Sequence, residues 1–339
     1  MSRPPHHRPN GRFRNPWPES AGDDGLRKRF HKVAWEWLTK PMPPRPPTDA
    51  LPVVESELVR PSAPEGQLRI TWVGHATFVI QLPGLNLLTD PVWSPRVSPV
   101  SFLGSRRLVR AAPALDSLPQ IQAVLLSHDH YDHLDRATVR ELHRRFGDDL
   151  TWYTPLGYRG WFERLGVHRV VELDWWEDAD LPGTDYRLTA TPARHWTRRT
   201  PWGTNRRLWC SCAVRPKAAS GARVYFGGDS GYGSFFDEIG RRVGPFDASL
   251  IPIGAYDPRW FMGAVHLSPE EAIRAYEHLG GAGAFIPSHW GTFRLTFEPA
   301  LEPPARARAA WREAGHPEDA LKVLRHGETI TLGCATRTG

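Results

Sequence analysis

Apolar residues in this chain come in short runs that stop at polar or turn-forming residues. LRITWV (68–73), TFVIQL (77–82), NLLTD (86–90) and QAVLLS (122–127) are rich in β-branched, aromatic and aliphatic side chains and read as strands, with a turn at Pro83-Gly84. RATVRELHRRF (136–146) and LGYRGWFERLG (156–166) have helical spacing instead. A second series follows, with strands at YRLTAT (186–191), RLWCSCAVR (207–215), ARVYFGG (222–228) and ASLIPIG (248–254), and helices near 232–242 and 269–279. Two strand-building halves, each with helices, predict an α/β chain of two packed sheets covered on the outside by helices. No short-period repeat is visible, which argues against a solenoid.

The N-terminal region has a different pattern. Residues 1–24 are rich in Pro, Arg and His and are expected to be disordered, apart from clasps at Phe13 and Trp17. LRKRFHKVAWEWLTK (26–40) places Leu26, Phe30, Val33, Trp37 and Leu38 at helical spacing among basic residues, a basic amphipathic helix. Such a helix either lies on the domain or attaches to an anionic membrane surface. PMPPRPPTDALP then reads as a stiff linker. The chain therefore divides into a basic N-terminal segment, 1–60, and one large domain, 61–339.

Composition narrows the setting. Of the net charge of +6, most belongs to residues 1–50, which hold ten Lys/Arg against five Asp/Glu. The near-neutral remainder argues against a nucleic-acid surface. Three cysteines make no secreted disulfide framework, and neither an apolar leader nor a spanning run is present, so a cytoplasmic protein is expected, peripheral to the membrane if the helix attaches. Cys210 and Cys212 share one face of a strand, where packing is a better reading than metal binding.

The segment LLSHDHYDHLD, 125–135, sets three histidines and three aspartates where a buried strand stops. Imidazole with carboxylate suits zinc, iron or manganese, whereas calcium prefers oxygen donors and structural zinc fingers use thiolates. On an extended turn, His128 and His130 could grip one ion while Asp132 and His133 face a second. Two ions need further ligands, and His195, Asp229 and His289 each end an apolar run. Asp129 points to the opposite side of the turn, and Asp135 is an N-cap for the helix that follows. His75 in VGHAT and Asp90 in NLLTD also stand at strand ends, Asp90 orienting a metal-bound imidazole and His75 lying near the cleft floor, or both making turn hydrogen bonds. Fifteen tryptophans, among them Trp93, Trp196, Trp202, Trp260 and Trp290, could line an acyl-chain channel or fill a core. Arg194, Arg198, Arg199, Arg206 and Arg207 flank His195, either meeting phosphate or forming a solvated basic loop.

HDHYDH, with a later histidine, the aspartate of GGDS and the histidine of SHWG, resembles the metallo-β-lactamase fold superfamily. The resemblance spans roughly 68–333 and implies an αββα four-layer sandwich. It also implies one metal on His128, His130 and His195, a second on Asp132, His133 and His289, and Asp229 bridging them. The ions would be zinc first, with manganese or iron as alternatives. TWVGHATFVIQ, LLTDPVWS, GAYDPRWFMGAVHLSPEEA and SHWGTF resemble the branch of N-acyl-phosphatidylethanolamine-hydrolysing phospholipases D. That branch implies a dinuclear phosphodiesterase in which an activated hydroxide attacks phosphorus, Asp132 and His266 take part in catalysis, and Arg194, Trp196, Tyr256 and Trp260 meet substrate. The products would be an N-acylethanolamine and phosphatidic acid. A lactonase for a phosphorylated or acylated lactone is the alternative on the same scaffold, and a non-catalytic metal- and lipid-binding protein the alternative of another class. The expected partners are a phospholipid or other phosphodiester, a membrane surface at 26–40 and a second copy in a homodimer, with no nucleic acid.

Overall fold

The computed structural model describes residues 3–17, 23–100, 102–218 and 220–333, with 23–30 as backbone only. Cys334 and the side chains of Leu26 and Phe30 lie outside the described residues.

Strands Gln67–Gly74 (β1), Thr77–Leu82 (β2) and Leu85–Thr89 (β3) form an antiparallel meander. After a two-stranded ribbon, Arg96–Val97 (β4) with Ser105–Arg106 (β5), the strands Ala123–Leu125 (β6), Thr151–Pro155 (β7) and Val170–Leu173 (β8) extend the same sheet in parallel. The second sheet comprises Asp178–Asp180 (β9), Tyr186–Thr191 (β10), Ser211–Pro216 (β11), Val224–Phe226 (β12), Ala248–Pro252 (β13) and Ala284–Ser288 (β14). The C-terminal strand Thr329–Gly333 (β15) returns to the edge of the first sheet, giving the order β15-β1-β2-β3-β6-β7-β8 beside β14-β13-β12-β11-β10-β9. This is the expected α/β arrangement. One apolar cluster joins the sheets, running from Leu68, Trp72 and Leu87 to Trp209, Leu250 and Ile286.

The helices are Asp23–Thr39 (α1), Arg136–Phe146 (α2), Arg159–Glu163 (α3), Phe235–Val243 (α4), Arg259–Met262 (α5), Pro269–His278 (α6) and Glu302–Glu313 (α7). Several bounds differ from the sequence pattern, each for a local reason. The strand expected from 207 begins at Ser211, because Leu208 and Cys210 donate instead to the carbonyls of Leu156 and Ser127. Strands β7 and β8 and helix α7 were not foreseen. TWYTP ends in proline and VVEL is only four residues long, while Pro303 and Pro304 look like helix breakers but sit in the first turn, where their missing N–H groups cost nothing.

Within residues 3–17 the two residues expected as clasps make contact with the domain. Phe13 is buried, its N–H donates to the Asn205 carbonyl at 2.8 Å, and Trp17 stacks on Trp175 at 5.4 Å. In α1, Val33 is buried while Trp35, Trp37 and Leu38 are exposed. No described helix is long and apolar enough to cross a membrane. Tryptophan is divided: Trp72, Trp152, Trp209 and Trp311 are fully buried in the core, whereas Trp202 is 79% exposed. Cys210 and Cys212 are buried free thiols with sulfurs 4.0 Å apart.

Candidate metal centre

Parallel strands carry their carboxyl ends to one edge, and the polar residues that follow gather there. Beyond β6, the chain bends at once: His133 and Leu134 both donate backbone N–H to the His130 carbonyl. Asp129 faces away from its histidine neighbours and is buried against the arginine loop, accepting from the Arg198 N–H at 2.9 Å and from Arg207 at 2.8 Å. Arg199 donates to the carbonyls of Asp129 and Leu134 and lies over the Tyr131 ring. The side chains of Arg199 and Arg207 thus brace the histidine turn, while Arg198 and Arg206 are exposed. Asp135 caps α2, accepting from the Ala137 N–H.

Four overlapping groups of ligand-type atoms result, each within 4.8 Å internally; two frame the site, His128, His130 and His195, and then His75, Asp132, His133 and His289, while Asp90 with His128 and His133, and His195 with Asp229 and His266, overlap them. In the first, Nδ1 of His130 is 2.9 Å from Nε2 of His128 and 3.2 Å from Nε2 of His195. In the second, Asp132 Oδ2 is 2.9 Å from His75, 3.4 Å from His133 and 3.5 Å from His289, all at Nε2. Asp229 stands between the groups, with Oδ2 at 3.7 Å from His128, 3.8 Å from His195 and 3.1 Å from His133, and Oδ1 at 3.2 Å from His289. Every metal-type residue named from the sequence is therefore at one place. His75, expected near the cleft floor, stands among the ligand-type residues, its ring 3.8 Å from that of His289.

Supporting contacts fix which nitrogen faces inward. Asp90 lies 2.6 Å from His133 Nδ1, turning Nε2 toward the two carboxylates, and the Val265 carbonyl does the same for His195 at 2.9 Å. Thr292 Oγ1 accepts the His75 backbone N–H at 2.7 Å and is itself 2.9 Å from His326 Nε2. The roles of Val265, Thr292 and His326 left no trace in the sequence, because a carbonyl or hydroxyl acting across the fold has no local signature. His75, Asp90 and His289 also have φ of 57°, 32° and 61°, a region that residues with a Cβ seldom occupy and that recurs at functional sites.

Burial and the two carboxylates pull the histidines in opposite directions. Burial, joined by neighbouring imidazoles, pushes His128 well below its ordinary value, and burial carries His130 to about 4 and His195 and His75 to about 3. Neutral imidazole is the form that ligates metal. Burial opposes protonation of His289 too, but Asp229 and Asp132 outweigh it and raise this histidine to about 9; the same carboxylates raise His133. Buried atoms without a hydrogen-bond partner include His130 Nε2, His133 Nε2, His289 Nε2 and Asp229 Oδ1. Unsatisfied buried donors and acceptors cost about 1–3 kcal/mol each, so their convergence on one spot fits a cation.

His266 belongs to this place as well. Its buried ring lies 5.2 Å from His195 and 5.4 Å from His289, with Nδ1 at 3.9 Å from Asp229. It does not cap α6; Ser268 does, in a capping box with Glu271. Of the four residues expected at substrate, only Trp196 touches the centre, edge-on to His130 at 4.8 Å. Arg194 donates to the Tyr232 carbonyl at 3.2 Å, and the Tyr256 hydroxyl donates to Glu302 at 2.6 Å while Arg306 covers its ring. Trp260 lies under Lys32 of α1. Sequence proximity to a motif does not set the direction of a side chain.

Residues 85–290 match the beta-lactamase superfamily domain. The chain belongs to the metallo-β-lactamase superfamily. Within it, the chain is 39% identical over 248 residues to N-acyl-phosphatidylethanolamine-hydrolyzing phospholipase D 1 of Caenorhabditis elegans, covering 70% of this chain and 68% of that protein. It is 38% identical over 288 residues to an uncharacterized protein of Mycobacterium tuberculosis, covering 84% of this chain and 74% of the relative. Among solved structures, isothiocyanate hydrolase from Delia radicum gut bacteria superposes with a TM-score of 0.61 at 20% identity, over 79% of this chain and all of that one, a likeness of fold alone. This member of the superfamily is a metal-dependent hydrolase of the phospholipase D-like branch, and it binds divalent metal.

Proposed function

We propose that the protein is a dinuclear phosphodiesterase that hydrolyses N-acyl-phosphatidylethanolamine or a related phospholipid. The observation that carries this reading is the Asp229 carboxylate, which reaches both histidine groups and has His266 beside it. His128, His130 and His195 would hold one ion, Asp132, His133 and His289 the other, and Asp229 both; zinc suits the donors best, with manganese and iron as alternatives. Ions so held supply an activated water and neutralise phosphate charge. Asp132, within reach of three imidazoles, keeps them oriented. His266 donates an imidazole N–H to a phosphate oxygen or to the departing alkoxide. Water's oxygen bonds to phosphorus, the bond to the ethanolamine oxygen breaks, a proton of that water passes to the leaving oxygen, and an N-acylethanolamine and phosphatidic acid leave. Trp196 offers an apolar wall beside His130.

Peripheral membrane contact through 26–40 belongs to the same proposal. Its support is that α1 sits on the domain through Val33 and leaves Trp35, Trp37 and Leu38 facing outward.

The test is metal analysis followed by assays on N-acyl-phosphatidylethanolamine, phosphatidylcholine, bis(p-nitrophenyl) phosphate and an acyl lactone. Two metals per chain with phosphodiester turnover and no lactone turnover is the expected result. Lactone turnover alone would overturn the reading.

A further inference from the structure

His6 and His7 are neighbours in sequence, and neighbours in an extended segment point to opposite sides. Here they do not. The arm turns tightly, with the His7 N–H donating to the Pro4 carbonyl and a bridge between His7 and Phe13, and both imidazoles arrive at one carboxylate. His6 Nε2 is 2.7 Å from Asp174 Oδ1, and His7 Nε2 is 2.8 Å from Asp174 Oδ2. The three ligand atoms lie within 4.8 Å of one another and share no residue with the central cluster.

The rings are held in place. His6 stacks on Trp175 at 4.2 Å and meets His7 edge-on at 4.6 Å, and His7 meets Phe13 edge-on at 5.0 Å. The Trp175 N–H donates to Asp174 Oδ1 at 2.8 Å, which fixes the carboxylate. His6 is buried, while the side chains of His7 and Asp174 keep 24% and 16% of their exposure, enough for an ion to enter and for water to complete its shell.

We propose that His6, His7 and Asp174 form a further metal site, for a divalent transition ion such as zinc, that locks the N-terminal arm onto the domain. Two imidazoles and one carboxylate are a donor set of that class, with a fourth, tetrahedral position left for water. Ligation through Nε2 requires each imidazole to carry its remaining proton on Nδ1. The ion would replace two N–H···carboxylate hydrogen bonds with three coordinate bonds. The arm it locks also reaches the centre: the Asn15 side-chain amide donates to the His195 carbonyl at 3.0 Å.

The experiment compares the full-length protein with the His6→Gln/His7→Gln double variant, both saturated with Zn2+ and desalted. Glutamine can still donate a hydrogen bond to Asp174, so a clasp made of hydrogen bonds survives the change while an ion site does not. The expected result, by elemental analysis, is a loss of about one zinc per chain in the double variant, together with a smaller zinc-induced rise in Tm. Equal zinc content in folded wild type and variant would overturn the site and leave a hydrogen-bonded clasp. If the double variant does not fold, His7→Gln alone is titrated with Co2+ against wild type. Disappearance of one class of cobalt absorption supports the site, and superimposable titrations reject it.

Discussion

Asp90 grips His133 from behind: its Oδ2 is 2.6 Å from Nδ1 of the imidazole, and the same carboxylate accepts the Ser127 N–H at 2.7 Å and the Ser127 hydroxyl at 2.5 Å. The contact holds His133 with Nε2 toward Asp132 and Asp229. Loss of such support typically weakens a metal site about 10- to 100-fold. Asp90→Ala should lower metal affinity by that amount, measured by chelator competition on protein whose circular dichroism is unchanged. Undiminished affinity would mean that packing alone orients His133.

His266 stands in a candidate ligand group of its own with His195 and Asp229, two residues already named as ligands. His266→Gln should leave metal content as in wild type and cut turnover by about 10²- to 10⁴-fold, the range typical of a lost proton-transfer group. Equal turnover would remove it from the mechanism; a matching loss of metal would make it a ligand.

Gly228 precedes Asp229 with φ of 57°, and a Cβ there would stand 2.5 Å from the Cβ of Ser127. Both faults fall between the segment that carries Asp229 and the one that carries His128. Gly228→Ala should cost about 1–3 kcal/mol, read as a lower denaturant midpoint, and should reduce metal content in the folded fraction. A variant with unaltered midpoint and metal content would show that the two segments yield easily.

The Arg306 guanidinium meets both oxygens of Glu270, at 2.9 and 2.8 Å, tying α7 to the first turn of α6 that follows His266. Partial burial would raise the Glu270 carboxyl, but the Arg306 fork outweighs it and the group ionises below its ordinary value. A lowered carboxylate stabilises the fold above its unfolded pKa, and that contribution disappears as pH falls through the folded value. Glu270→Gln should therefore destabilise the protein slightly at pH 7, by about 0.2–1 kcal/mol given the exposure of the pair, and should make no difference in strong acid. Stability curves of the two proteins against pH, compared from neutrality downward, check this.

The centre was legible where its residues end apolar runs. His128, His130, Asp132 and His133 lie within six positions, and His195, Asp229 and His289 each follow a recognisable strand. His75 was underrated because its place beside Asp132 depends on the turn between β1 and β2, whose left-handed backbone the sequence does not announce. Arg194, Tyr256 and Trp260 stand near motif residues, and their side chains contact Tyr232, Glu302 and Lys32, directions that sequence spacing does not set. In the N-terminal arm the clasps at Phe13 and Trp17 were legible as apolar residues in a Pro- and Arg-rich stretch, whereas the approach of His6 and His7 to Asp174, more than a hundred residues away, was not.

The centre draws His75, Asp90 and the 128–133 turn from one sheet, and His195, Asp229 and His289 from the other. An ion bound there is a rivet through a seam as well as a reagent. The two halves of the chain would share a stability that rises with the free concentration of the ion, so starving the protein of metal would loosen the joint between the sheets along with silencing the chemistry.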